Sequence, residues 1–174
     1  MAAPAPIDPE QFRRTIARWV SGVAIVTGRH GSFDVGLTVN SIISVALRPP
    51  TLLISLSETA DSTPVIERSG VFGVSLLTAA QRAVSERFAR SIPSAEKFEG
   101  LAVHRGTTGV ALLDGALATF ECRVERTVPV ADHHLEVGVV VAAEGTGDEL
   151  PLTFFRSHYG EPAAPGTLRV HLGP

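Results

Sequence analysis

The sequence predicts a mainly β protein, a closed or nearly closed β-barrel with peripheral helices. Three observations lead there. Short β-branched and apolar runs outnumber helical patterns by more than two to one, the helices do not alternate with every strand as a doubly wound sheet requires, and the run Ala118, Phe120, Cys122, Val124 alternates cleanly with Thr119, Glu121, Arg123 and Glu125. Length and composition allow such a core. The chain has 174 residues, 44% of them hydrophobic and 19% charged, with a net charge of −3, enough apolar surface for one folded domain.

The first eight residues read as an Ala/Pro-rich tail and 9–174 as a single domain. Asp8-Pro9-Glu10-Gln11 is a helix start: Asp8 can cap, Pro9 fits the first turn, and Gln11 stands at the capping-box position. Phe12, Ile16 and Val20 then form an apolar stripe, with Trp19 beside it as an expected core residue. Segments 20–27 and 35–39, separated by turn residues around Gly31, predict a β-hairpin. Arg48-Pro49-Pro50 is a connector, since two prolines remove ladder donors, and 51–56 is a buried-type strand. Thr63-Pro64 opens a short helix that Gly70 closes, and 71–77 is a strand. Thr78-Ala79-Ala80-Gln81 is a capping-box signature opening a helix with Ala80, Val84 and Phe88 on one face and Glu86→Arg90 as an ion pair. The 118–125 alternation predicts a sheet with one wet face carrying Thr119 and Glu121. Segment 134–143 is nearly all apolar and predicts a strand covered on both sides; 152–156 and 168–172 complete the strands.

Several chemistries are excluded. A mildly acidic chain lacks the basic stripe that nucleic acid needs. One cysteine forbids an internal disulfide and a cysteine zinc site of the usual spacing, and Cys122 itself reads as a buried inert thiol. No run approaches the roughly 18 apolar residues of a membrane span, and the N-terminal residues lack a signal peptide's basic start and apolar stretch, so the expected compartment is the cytoplasm. Neither a Walker loop nor a dinucleotide fingerprint is present; Gly106-Thr107-Thr108-Gly109 reads as a turn. His133 and His134 are adjacent, so on a strand they face opposite sides and cannot share a metal; no metal site is expected. His30 and His104 read as solvated surface. The segment Gly36–Val45 is different: four small polar side chains and no acid–base pair suit a flat heterocycle with a polar tail, although a self-capping loop would have the same composition.

At this segment the sequence resembles the flavin reductase family, the small split-barrel proteins that serve two-component flavin monooxygenases. The matching stretches are Phe12-Arg13 through Trp19-Val20-Ser21-Gly22-Val23 to Val26-Thr27, and Gly36 through Pro50 with its Thr38-Val39-Asn40-Ser41. They continue with Phe72-Gly73-Val74-Ser75, Gln81 to Phe88-Ala89, Lys97-Phe98, Leu112 to Ala116, Phe120-Glu121-Cys122-Arg123-Val124, Asp132-His133, and Phe155-Arg156 with Tyr159. Together, in order, they cover roughly residues 10–160.

The resemblance implies a six-stranded antiparallel Greek-key split barrel, a homodimer, and NAD(P)H-dependent reduction of FMN or FAD. The hydride would pass from nicotinamide C4 to flavin N5, and reduced flavin would go to a partner monooxygenase. It assigns Thr38, Val39, Asn40, Ser41 and Ser44 to the flavin ring and ribityl chain, and Ser55 and Ser57 to its lining. Ser62 and Thr63 would meet the phosphate, where Thr63 reads equally as a helix cap. Lys97, Phe98 and Tyr159 join the flavin site, and His133 is the residue that positions the nicotinamide. A flavoenzyme holding FMN tightly for a dedicated substrate, or a non-catalytic flavin carrier, would share these residues. Two departures mark this chain: Ala131 stands where the family has a glycine before Asp132-His133, and Ala46-Leu47-Arg48 adds a positive charge after the flavin motif.

Overall fold

The computed structural model describes residues 4–145 and 148–163; the strand expected at 168–172 lies outside them. In chain order the elements are α1 (Pro9–Ile16), β1 (Ser21–Gly22), β2 (Ala24–His30), β3 (Phe33–Val39), β4 (Ile42–Leu47), β5 (Pro50–Ser57), α2 (Thr63–Ser69) and β6 (Val71–Leu76). A short 3₁₀ turn (Ala79–Gln81) leads into α3 (Arg82–Phe88), followed by α4 (Ser94–Phe98), β7 (Val103–Arg105), β8 (Ala111–Leu113), β9 (Ala118–Val130), β10 (His133–Gly145), β11 (Thr153–Phe155) and β12 (His158–Gly160).

The main sheet has seven antiparallel strands in the order β3-β2-β6-β9-β10-β5-β4. Its two end strands, β3 and β4, are consecutive in sequence and joined only by Asn40 and Ser41. A flat sheet of this width would set them about 29 Å apart at 4.8 Å per strand, whereas the link between Val39 and Ile42 reaches at most about 11 Å. The sheet therefore curls back on itself into a barrel whose ends meet at a split, and Asn40-Ser41 spans that split. Inside lie Ala24, Val26, Ile54, Leu56, Ile66, Phe72, Val74 and Cys122. Burial pushes the Cys122 thiol up to about 12, with the Glu121 charge adding to it, so the thiol is inert as expected.

Several expectations change. Asp8 Oδ2 accepts from the Gln11 amide at 2.8 Å, but α1 buries none of its residues and Trp19 is 75% exposed instead of joining the core. The expected 20–27 strand begins properly only at Ala24. Part of its N-terminal end pairs elsewhere, Ser21 and Gly22 lying against β11. The Gln81 side chain accepts from the Thr78 amide at 3.1 Å, closing the predicted box. The ion pair on α3 is Arg82–Glu86 at 2.8 Å, not Glu86–Arg90. The hydroxyl of Thr63 donates to Ser57 O at 2.7 Å and does not cap α2, whose cap position is Ser62; Gly70 ends that helix in a left-handed conformation (φ 69°). Segment 42–47, most of which falls within the polar Gly36–Val45 stretch, is a strand, β4. Segment 134–143 is not covered on both sides, since Val141 is exposed.

The largest correction is the wet face of 118–125. Its alternation is real, but the hairpin β7–β8 lies over it, and Glu121 is only 3% exposed. The buried hydroxyl of Thr27 donates to Ala111 O at 2.6 Å and Ser75 Oγ accepts from the Leu113 amide at 3.0 Å, fixing β8 to the sheet. Glu121 accepts from the amides of Thr107 (2.9 Å) and Thr108 (2.6 Å) and from the Thr108 hydroxyl (2.5 Å). A Cβ on Gly106 would stand 1.9 Å from Glu121 Oε1, so only glycine lets the loop wrap the carboxylate. Burial drives the Glu121 carboxyl up, but the Thr108 and Thr107 hydrogen bonds and the nearby His104 hold it below the usual value.

Candidate functional site

The split end of the barrel carries two adjoining hollows. The larger, about 600 Å³, lies between β3, the turn 59–62, the 88–94 segment and Lys97; that volume is within the range of small-molecule and cofactor sites, roughly 300–1,000 Å³. The smaller, about 160 Å³, is lined by Thr38, Val39, Asn40, Phe154 and Tyr159 among others. Thr38 and Ala89 border both, so the pair forms one wall running along β3 to the split.

β3 builds that wall by alternation. Gly36 and Thr38 face α3, while Leu37 and Val39 turn to the barrel core. A Cβ on Gly36 would sit 2.6 Å from Phe88 Cε1 and 3.2 Å from Phe98 Cζ, so the glycine keeps the cleft open against an edge-on Phe88–Phe98 ring pair with centroids 5.0 Å apart. Lys97 Nζ donates to Gly36 O at 3.1 Å and Phe88 O at 3.3 Å. Two of its three protons are thereby used, leaving one for an anion in the cleft. Burial lowers the Lys97 pKa from its ordinary value, opposed by the charge of Asp61. At the other end the Thr38 hydroxyl donates to Ser85 O at 2.6 Å, and Ser85 Oγ shares a hydrogen bond with the Tyr159 hydroxyl at 2.8 Å.

The expected residues thus fall into separate groups. Thr38, Ser62 and Lys97 line the larger hollow; Thr38, Val39, Asn40 and Tyr159 line the smaller. The Val39 side chain is buried in the core, leaving its backbone to face a ligand. Phe98 stands behind the cleft as a support for Phe88. Ser41 ties the split, its hydroxyl donating to Ser55 O at 2.9 Å. Ser55, Ser57 and His133 share the outer face of the β5–β10 pair, where Ser57 is directly opposite His133. Ser44 is on the other face, opposite Leu52, and is exposed. Thr63 is buried with its amide bonded to Ala60 O, and Pro64 has no N–H, so the start of α2 offers fewer free donors than the sequence suggests. Arg48 is exposed at the tip of the β4–β5 hairpin, a strand's length from Asn40.

His133 Nδ1 is 2.8 Å from Asp132 Oδ1, which leaves Nε2 for a ligand; the same contact holds the Asp132 carboxyl below its usual value. Ala131 has φ 53°, a left-handed conformation that explains why the family places glycine there. Sequence reasoning did not foresee Asp61, Ser85 or Arg90 around the hollows, nor the grouping of Glu67 and Glu136 with His134 on the far face of β10.

Residues 16–163 match the family model described as the flavin reductase like domain. The chain belongs to the flavin reductase family. The reductase component of 4-hydroxyphenylacetate 3-monooxygenase from Thermus thermophilus is 37% identical over 150 residues, 86% of this chain and 94% of that protein. The FMN reductase (NADH) RutF of Stutzerimonas stutzeri is 34% identical, with 89% of each chain covered. Among solved structures, the NADH:FAD oxidoreductase SgcE6 of Streptomyces globisporus superposes with a TM-score of 0.85 at 31% identity, covering 92% of this chain and 99% of that one. This flavin reductase keeps the family's curled sheet, and no helix among its described residues is long and apolar enough to cross a membrane.

Proposed function

We propose that this chain is an NAD(P)H:flavin oxidoreductase that reduces FMN or FAD and releases the reduced flavin to a flavin-dependent monooxygenase. The observation that carries the reading is the two-part hollow along β3, with a lysine at one end, neutral donors at the other, and a glycine floor between them. These features fit a flavin's anionic tail and its uncharged ring. The flavin supplies the hydride acceptor and the nicotinamide the hydride; the protein's share is positioning. Lys97 and Ser62 hold the phosphate end. Thr38, Asn40, Ser41 and the Val39 backbone hold the ribityl chain and ring edge, with Tyr159 fixed by Ser85 beside them. His133, oriented by Asp132, positions the nicotinamide from the outer face that it shares with Ser55 and Ser57. Hydride transfer between stacked rings needs positioning more than proton transfer.

The chain works as a homodimer in this reading. Ile43, Val45 and Leu47 on β4, Phe12, Ile16 and Trp19 around α1, and Val130 and Val141 are all exposed large apolar side chains. So much exposed apolar surface marks a partner face. Soluble nicotinamide as reductant implies the cytoplasm. The site is tested by FMN titration of Asn40→Ala with Ser41→Ala. Flavin affinity falls by about tenfold or more, the loss of one to two hydrogen bonds; affinity equal to the unsubstituted protein overturns the assignment.

A further inference from the structure

Outside the flavin hollows, β10 carries His134 and Glu136 on one face, the face opposite to His133, and α2 brings Glu67 above them. One donor atom from each of the three lies within 4.8 Å of the others. Glu67 Oε1 and His134 Nδ1 are in hydrogen-bond contact. Glu136 is 0% exposed. Its Oε2 accepts from the Thr127 hydroxyl at 2.6 Å, while Oε1 has no hydrogen-bond partner. A buried carboxylate oxygen left alone is costly, and its neighbour Glu67 adds negative charge instead of removing it. Apart from the His134 imidazole, nothing in the cluster answers that charge.

We propose that Glu67, His134 and Glu136 form a binding site for one divalent transition cation of the zinc type. The donor set is one imidazole nitrogen and two carboxylate oxygens, which favours zinc, cobalt or nickel over the all-oxygen ions magnesium and calcium. Three protein ligands with a fourth position open to water is a familiar zinc arrangement. Ligands at 2.0–2.1 Å around a tetrahedral ion are about 3.4 Å apart; with all three donors within 4.8 Å, the Glu67–His134 contact opens to admit the ion and the wider separations close, shifts of about an ångström. His134 and Glu136 are fixed by the β10 ladder, whereas the Glu67 side chain is 34% exposed and free to make that movement. His134 is 27% exposed, which gives the ion a route in. The cation would satisfy the orphaned Glu136 oxygen and clip α2 to β10. None of the three residues lines the flavin hollows, so the site stands or falls independently of the flavin reading.

Untagged protein treated with chelator and titrated with Co²⁺ tests the proposal through the visible absorption of the bound ion, with Zn²⁺ as competitor. The expected result is one saturable site per chain with tetrahedral-type bands that Zn²⁺ abolishes, and a melting temperature that rises with Zn²⁺. His134→Ala and Glu136→Gln each weaken Co²⁺ binding by about tenfold or more, and His104→Ala leaves it unchanged. Glu67→Gln, at an exposed position, makes the same test should Glu136→Gln not fold. Absence of a saturable Co²⁺ spectrum up to millimolar ion, or binding undiminished in both His134→Ala and Glu67→Gln, overturns the proposal.

Discussion

Replacing Lys97 by Met separates the two ends of the proposed flavin site. The substitution keeps the length and apolar stem of the side chain and deletes its charge. In the native chain the ammonium is held by Gly36 O and Phe88 O at 3.1 and 3.3 Å, so it is already aimed at the cleft before ligand arrives. A charge-assisted hydrogen bond is worth about 1.5–3 kcal/mol; for a half-buried, partly screened group the lower part of that range applies. At about 1.4 kcal/mol per tenfold this predicts a 10- to 30-fold loss of FMN affinity. Riboflavin has the same ring and ribityl chain without the phosphate, and its affinity should stay within about threefold, roughly 0.6 kcal/mol. Fluorescence titration of both ligands, with thermal melts as a check on folding, provides the comparison. The lowered Lys97 pKa adds a second signature. As pH rises through that value the native protein loses its FMN preference, while the variant shows no such pH dependence. Equal losses for FMN and riboflavin would refute the assignment of Lys97 to the phosphate.

Other predictions follow from the same geometry. Gly36→Ala must displace the Phe88–Phe98 pair, costing about 1–3 kcal/mol in urea unfolding and weakening FMN binding; unchanged affinity would show that the cleft floor is not used. Glu121→Gln leaves a partly buried amide of the 107–108 turn without its acceptor and should cost about 1–2 kcal/mol at neutral pH. Because the native carboxyl sits below its unfolded value, this stabilisation is complete above the unfolded pKa and is lost as pH falls through the folded one. Native and variant stabilities should therefore converge in acid; a constant gap would contradict the role given to the carboxylate. Ala131→Gly relieves a left-handed alanine worth roughly 1–2 kcal/mol, offset by about 0.5–1 of added chain entropy. Chemical denaturation should find it neutral to modestly stabilising.

Much of this was legible in the sequence where local chemistry decides structure. Gly31, the proline pair and the Thr78–Gln81 box punctuate the chain through backbone conformation and capping, and the structure follows them. Periodicity found the faces of β9 but not what covers them: Glu121 reads as solvent-facing because the hairpin that buries it comes from residues 103–113, and no local pattern announces that packing. The stripe of α1 failed in the opposite sense. Its apolar residues, with Trp19 beside them, suggest a core, yet Phe12, Ile16 and Trp19 are all exposed. The polar segment at the split was conspicuous by composition, but which of its side chains face one cavity depended on barrel curvature, which set Ser44 apart from Asn40. Glu67 and His134, 67 positions apart in the chain, meet only through the packing of α2.

The most direct measurement is the anaerobic bleaching of FMN or FAD supplied in large excess over protein, with NADH or NADPH as reductant. Reduction of many flavin equivalents per chain, lost when His133→Ala removes the imidazole proposed to position the nicotinamide while flavin binding persists, is the predicted result. Bleaching that stops at one equivalent per chain, or binding of flavin with no bleaching at all, would contradict the account of a reductase that releases its flavin.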